Sequence, residues 1–121
     1  MEEKKIMIAD DAVFMRKMIR NTLSEAGYKN FLEAPDGEAA VKLYKEEKPD
    51  LTFLDVTMPI KNGLDTLKEI MAFDSEAKVI MCSAIGQDGV IMEAIQTGAM
   101  EFIIKPFKKD QLIDITRGLI G

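Results

Sequence analysis

The chain has 121 residues, 47% of them hydrophobic, which suits one compact core and leaves no room for a second. Its 21 acidic residues outnumber 16 basic ones for a net charge of −5, so no basic face is offered to a nucleic-acid backbone or an anionic membrane. Histidine is absent and cysteine occurs once, which excludes a His-dependent hydrolase, a zinc centre and an intramolecular disulfide.

After Met-Glu-Glu-Lys-Lys the chain enters the run Lys5–Ala9, predicted as a strand and too short for a signal-peptide core or a membrane span. A cytoplasmic location is therefore expected. Asp10-Asp11 follows, then an amphipathic helix over Ala12–Ala26, with Phe14, Met18, Ile19 and Leu23 on one side and Arg16, Lys17 and Arg20 elsewhere. Phe31-Leu32 is a weaker strand signal, expected near a sheet margin. A second helix spans Asp36–Glu47, with Asp36 as N-cap and Pro49 as its stop. The run Leu51–Leu54 ends in Asp55, and a loop held by Pro59 and ended by Gly63 leads into a helix over Gly63–Met71. Lys78–Cys82 is the next strand, with Cys82 a buried small hydrophobe, and it ends in Ser83. A helix over Asp88–Thr97 closes at Gly98, and the strand Glu101–Ile104 ends in Lys105. The last helix is predicted over Asp110–Leu119, with Asp110 as N-cap and Gly118 near its end. Short apolar runs alternating with amphipathic helices predict an α/β domain: a doubly wound, five-stranded parallel sheet flanked by five helices. With no linker and no repeat, residues 1–121 read as one domain without an output module.

If those strands are parallel, Asp10-Asp11, Asp55, Ser83 and Lys105 lie along one edge, where such sheets place their ligands. An isolated acidic pair before a helix is ordinarily an N-cap, but two adjacent carboxylates need only one cap. Three carboxylates within about 4 Å repel by several kcal/mol per pair, so the cluster makes sense chiefly as a divalent-cation site. Mg²⁺ fits, being a hard ion that takes oxygen ligands and commonly bridges a protein carboxylate and a phosphate. Most lysines are solvated. Lys105, however, ends a buried run directly before Pro106, where its ammonium can reach back to the acids and where the Lys105–Pro106 bond is a candidate cis peptide. Ser83 alone reads best as the end of a strand, but its hydroxyl would donate to a phosphoryl oxygen on Asp55.

These residues resemble the receiver domains of two-component response regulators, and within them the stand-alone chemotaxis regulators of the CheY type. The motifs are the acidic pair after the first strand, Asp55-x-x-Met58-Pro59-x-x-x-Gly63, Ser83-Ala84 after the fourth strand, and Lys105-Pro106-Phe107 after the fifth. The finer likeness rests on Ala12-Val13-Phe14-Met15-Arg16 and Ser83-Ala84-Ile85-Gly86-Gln87, which look most like the chemotaxis branch of bacteria and archaea. The resemblance implies a flavodoxin-like fold with Asp55 as phosphoacceptor. Mg²⁺ would be held by Asp11, Asp55 and the Thr57 carbonyl, with Asp10 acting through water. Lys105 would pair with the phosphoryl group, Ser83 would act as the switch, and Phe102 would occupy an aromatic switch position without the phenol hydroxyl common there. Thr57 stands where Asn is familiar, which puts the side chain's influence on phosphoryl lifetime in doubt, and the apolar Ile85 would slow the attacking water.

The implied function is a phospho-accepting switch that turns over no external substrate. Its implied partners are a chemotaxis-type histidine kinase, a flagellar or archaellar motor switch or its adaptor, and a phosphatase, and it is expected to be a monomer. The output face would lie around Val90, Ile91, Phe102 and Leu112. Competing readings are a phosphate sink or phosphorelay intermediate, and a haloacid-dehalogenase-type phosphatase, which wants a second Asp where Thr57 stands. A nucleotide- or flavin-binding protein is disfavoured because the first strand leads into acids and not into a glycine-rich cradle.

Overall fold

Strand and helix alternate five times in the computed structural model, which describes residues 3–84 and 86–121. The order is β1 (Lys5–Ala9), α1 (Val13–Glu25), β2 (Asn30–Ala34), α2 (Gly37–Glu47), β3 (Leu51–Asp55), α3 (Gly63–Phe73), β4 (Val79–Ala84), α4 (Asp88–Thr97), β5 (Glu101–Lys105) and α5 (Lys109–Ile120). The strands form one parallel sheet in the order β2-β1-β3-β4-β5, the doubly wound order that flavodoxins and receiver domains share.

Side-chain alternation divides the core into two layers. Met7, Ala9, Leu54, Val79 and Met81 face α2, α3 and α4, meeting Ala40, Val41, Leu67, Ile70 and Ala94. Ile6, Ile8, Phe53, Ile80 and Ile103 face the other way and meet Ile19 and Leu23 of α1 and Leu112 and Ile120 of α5. Because β3 is buried at every position, it reads in the sequence as a nearly continuous apolar run, interrupted by Thr52 and ended by Asp55. At the sheet margin, β2 is fully buried only at Ala34, which is why its signal is faint. Cys82 belongs to the second layer, and desolvation pushes its thiol up to about 12, so it behaves as a core hydrophobe.

Local signals hold in most places. Asp36 caps α2 by accepting from the Ala39 N–H at 2.8 Å. One expectation is corrected. Lys108 is the N-cap of α5, and Asp110 sits in its first turn, where a carboxylate favours the helix through the macrodipole without capping it. Gly118 lies near the end of α5, which continues to Ile120. Strands β4 and β5 also run one or two residues further than the apolar runs, because Ser83 pairs with Ile104 and Ala84 with Lys105. No helix among the described residues is long and apolar enough to cross a membrane.

Candidate functional site

The sheet order reverses between β1 and β3, so the connections after these two strands diverge and leave a crevice beyond their carboxyl ends. The acids stand there. Carboxylate oxygens of Asp10, Asp11 and Asp55 lie within 4.8 Å of one another. Asp10 and Asp55 are buried, at 2% and 8% exposure, whereas Asp11 faces solvent. Neither member of the acidic pair caps α1 directly: the N-cap is Ala12, and Asp10 Oδ1 accepts from the Ala12 N–H at 2.9 Å.

Lys105 reaches in from the end of β5. Its Nζ lies 2.9 Å from Asp10 Oδ2 and 3.2 Å from Asp55 Oδ1, and the Lys105–Pro106 peptide is cis. One ammonium thus pairs with two members of a cluster of three carboxylates, and the titration behaviour follows. Burial, then the charge of Asp10, hold the Asp55 carboxyl above its ordinary range, against the pull of Lys105. Burial would depress the Lys105 ammonium, but its hydrogen bond to Asp10 and the charges of Asp55 and Asp10 outweigh this and raise it. The remaining negative excess on an all-oxygen donor set suits a hard divalent cation such as Mg²⁺.

The loop after β3 is bound tightly to the strand end. The Gly63 N–H donates to the Val56 carbonyl at 2.8 Å. A Cβ on Gly63 would sit 2.1 Å from the Asp55 carbonyl oxygen and 2.7 Å from Val56 Cα. The glycine in the Asp55-to-Gly63 motif is therefore required by close backbone approach, while buried Met58 anchors the loop's middle. Thr57 is exposed, and its Oγ1 accepts from Gln87 Nε2 at 3.3 Å. Ser83 Oγ is fully buried and has no hydrogen-bond partner among the described residues, which leaves a donor beside the acid cluster unsatisfied. Ile85 lies outside the described residues.

Two contacts were not foreseen. Arg16, expected on the polar side of α1, has a side chain only 13% exposed. Its Nη1 donates to the Asp10 carbonyl at 2.6 Å and its Nε to Glu33 Oε1 at 3.0 Å, tying the β1–α1 loop to β2. Gln87 bridges the β3–α3 loop and the end of β4 through Thr57 and the Ala84 N–H. No local pattern marks either residue, since both depend on contacts between separate elements.

The expected output face is corrected. Leu112 is fully buried in the layer under α1 and α5, on the opposite side of the sheet from Val90 and Phe102, which pack against the other layer. Ile91 is also buried, at 5% exposure. An amphipathic pattern gives the inward stripe of a helix, and these two residues belong to that stripe. The apolar residues that α4 and its following loop do expose are Met92, Ile95 and Met100.

Comparison with known proteins matches residues 6–117 to the family model described as the response regulator receiver domain. The chain is 48% identical over 111 residues to the chemotaxis protein CheY of Thermotoga maritima, covering 92% of each. It is 50% identical over 110 residues to that of Listeria monocytogenes, covering 91% of this chain and 92% of the relative. Among solved structures, the CheX-CheY-BeF3-Mg complex of Borrelia burgdorferi superposes with a TM-score of 0.91 at 33% identity, covering 98% of this chain and 90% of that one. An acid cluster at the reversal of a doubly wound sheet, a lysine reaching it from the last strand, and likeness along nearly the whole length agree: the chain belongs to the response regulator receiver domains of two-component systems, of the CheY type.

Proposed function

We propose that this chain is a phospho-accepting signalling switch in which Asp55 receives a phosphoryl group from a histidine kinase. The observation that carries this reading is the placement of the Asp55 carboxylate. It is 8% exposed, 3.2 Å from the Lys105 ammonium, and clustered with Asp10 and Asp11. In the transfer, an Asp55 carboxylate oxygen attacks phosphorus as the phosphorus–nitrogen bond of a phosphohistidine breaks, and the departing imidazole keeps the bonding pair and takes up a proton. Phosphoryl transfer asks a protein mainly for positioning and charge neutralisation. Lys105 supplies a fixed positive charge, and the Gly63 contact holds the strand end that presents the nucleophile. Asp11 and Asp55, with the Thr57 carbonyl and with Asp10 through water, are the residues proposed to hold Mg²⁺, which when bound neutralises charge on phosphoryl oxygens.

The product adds roughly −1.5 to −2 of charge and three strong acceptor oxygens, by analogy with other phosphorylated side chains. Ser83 supplies the unsatisfied hydroxyl that such an oxygen would engage, which would draw the end of β4 toward Asp55. The signal would leave through the α4 side, where Met92, Ile95 and Met100 offer exposed apolar surface to a motor-switch component or its adaptor. The chemotaxis relatives support that choice of partner, and the Borrelia complex supports beryllofluoride with Mg²⁺ as a mimic of the phosphorylated state.

Treatment with a small acyl phosphate and Mg²⁺, followed by intact-mass analysis, tests the assignment. The wild-type chain is expected to gain one phosphoryl group and Asp55→Asn none. Labelling of the Asn variant at the same site would refute it.

A further inference from the structure

The β3–β4 ladder ends one residue beyond Asp55, a member of the acid cluster. Its last rung is the Val56 N–H donating to the Cys82 carbonyl at 2.9 Å, so the backbone polar groups of residue 82 point toward β3. Polar groups two residues apart on a strand point the same way, and the Ala84 N–H is therefore directed past the end of β3, toward the loop that follows Asp55. β3 supplies no acceptor for it. The acceptor is Gln87 Oε1, at 2.8 Å, and the other end of the same amide donates to Thr57 Oγ1 at 3.3 Å. One side chain thus spans the two segments that rim the phosphoacceptor, and the next residue back, Ser83, holds the buried hydroxyl that lacks a partner. Gln87 forms one wall of a cleft of about 250 Å³ lined also by Val56, Thr57, Asn62, Leu64 and Val90, so its release requires no repacking of the core.

We infer that Gln87 is a positioning residue that latches the unphosphorylated state: its side-chain carbonyl occupies the Ala84 N–H, and a phosphoryl oxygen on Asp55 must displace it for the end of β4 to close on the site. The inference rests on the reading of Asp55 as phosphoacceptor. The amide plays the part of an internal competitor, an oxygen acceptor held where an anionic one would be stronger, because hydrogen bonds to charged acceptors exceed neutral ones. A binding-competent state that is only partly populated weakens the apparent affinity for its ligand, and removing the competitor removes that penalty. The latch touches none of Asp10, Asp11 or Lys105, and it meets Thr57 at the side-chain hydroxyl and not at the carbonyl proposed for Mg²⁺, so it shifts the balance of states without altering the acid cluster.

The test measures two affinities by amide NMR on the full chain: Mg²⁺ alone, and beryllofluoride at saturating Mg²⁺. In Gln87→Ala, beryllofluoride is expected to bind about threefold to tenfold more tightly, the range for one net hydrogen bond, with Mg²⁺ affinity unchanged. The Ala84 amide should also exchange faster with solvent. Gln87→Met keeps length and apolar packing but cannot accept from the Ala84 N–H, and is expected to match Gln87→Ala. Equal beryllofluoride affinity in wild type and Gln87→Ala would overturn the latch alone. So would tightening in the Ala variant that is absent in the Met variant, because room and not the hydrogen bond would then be the cause. Failure of beryllofluoride to bind wild type would overturn the phosphoacceptor reading, and the latch with it.

Discussion

Replacing Asp55 by Asn is expected to stabilise the metal-free protein, although it removes one partner of an ion pair. At an effective dielectric of about 20, two unit charges at the 4.8 Å limit that bounds the acid cluster repel by about 3.5 kcal/mol. Asp55 takes part in two such repulsions, with Asp10 and Asp11. Its attraction to Lys105 at 3.2 Å contributes about 5 kcal/mol in the other direction. Solvent screening of the exposed Asp11 reduces its share, while burial of the Asp55 charge adds a further cost. Asn keeps the shape and still accepts from the lysine, which also retains Asp10 at 2.9 Å. A net gain of about 1–2 kcal/mol is expected at neutral pH in the presence of a chelator. The pH dependence has a definite sign. Asp55 is raised in the folded state, so its penalty is absent below the unfolded carboxylate value and develops as pH rises through the folded one. The advantage of the Asn variant should therefore vanish in acid and appear on moving toward neutrality. Saturating Mg²⁺ should shrink or reverse it, because wild type gains more from binding the ion. Urea unfolding followed by circular dichroism, across pH and with or without Mg²⁺, reads all of this. An Asn variant less stable than wild type in chelator at neutral pH would mean that Lys105 outweighs the repulsion, and the electrostatic account of the cluster would fail.

Isothermal titration should show Mg²⁺ binding to wild type and a large loss of affinity in Asp11→Ala; unchanged affinity would remove Asp11 from the metal site. Gly63→Ala should cost about 2–4 kcal/mol in urea unfolding, because the added methyl meets the Asp55 carbonyl at 2.1 Å and the rigid strand end cannot move aside. If the loss is under about 0.5 kcal/mol, the loop is more compliant than its contacts imply. Ser83→Ala should leave acyl-phosphate labelling of Asp55 intact while reducing the gain in partner affinity that beryllofluoride produces, as measured by binding titrations; an undiminished gain would remove the hydroxyl from the switch.

The fold was legible because parallel strands covered on both faces become nearly continuous apolar runs, as in Leu51–Leu54 and Val79–Cys82. Where coverage is partial, as at Asn30–Ala34, the pattern faded to two residues. The acid cluster could be anticipated from strand ends alone because a parallel sheet aligns its carboxyl edges. What escaped was whatever depends on which side of a helix or strand a residue meets and what lies across from it. Leu112 and Ile91 are apolar in an amphipathic pattern, and the pattern does not distinguish a contact surface from the stripe that packs inward. Gln87 and Arg16 look like ordinary solvated residues at helix starts; only the folded arrangement sets them against Ala84, Thr57 and the Asp10 carbonyl.

Asp10 and Lys105 touch across a sequence separation of 95, and Asp55 joins them from near the middle of the chain. Neither an amino-terminal half nor a carboxyl-terminal half contains the constellation, and the sheet order sets β3 and β4 between the strands that carry Asp10 and Lys105. Competence to receive a phosphoryl group thus depends on assembly of the centre of the sheet. A nascent, clipped or partly melted molecule would be silent by construction, and would contribute no false message to the pathway that reads it.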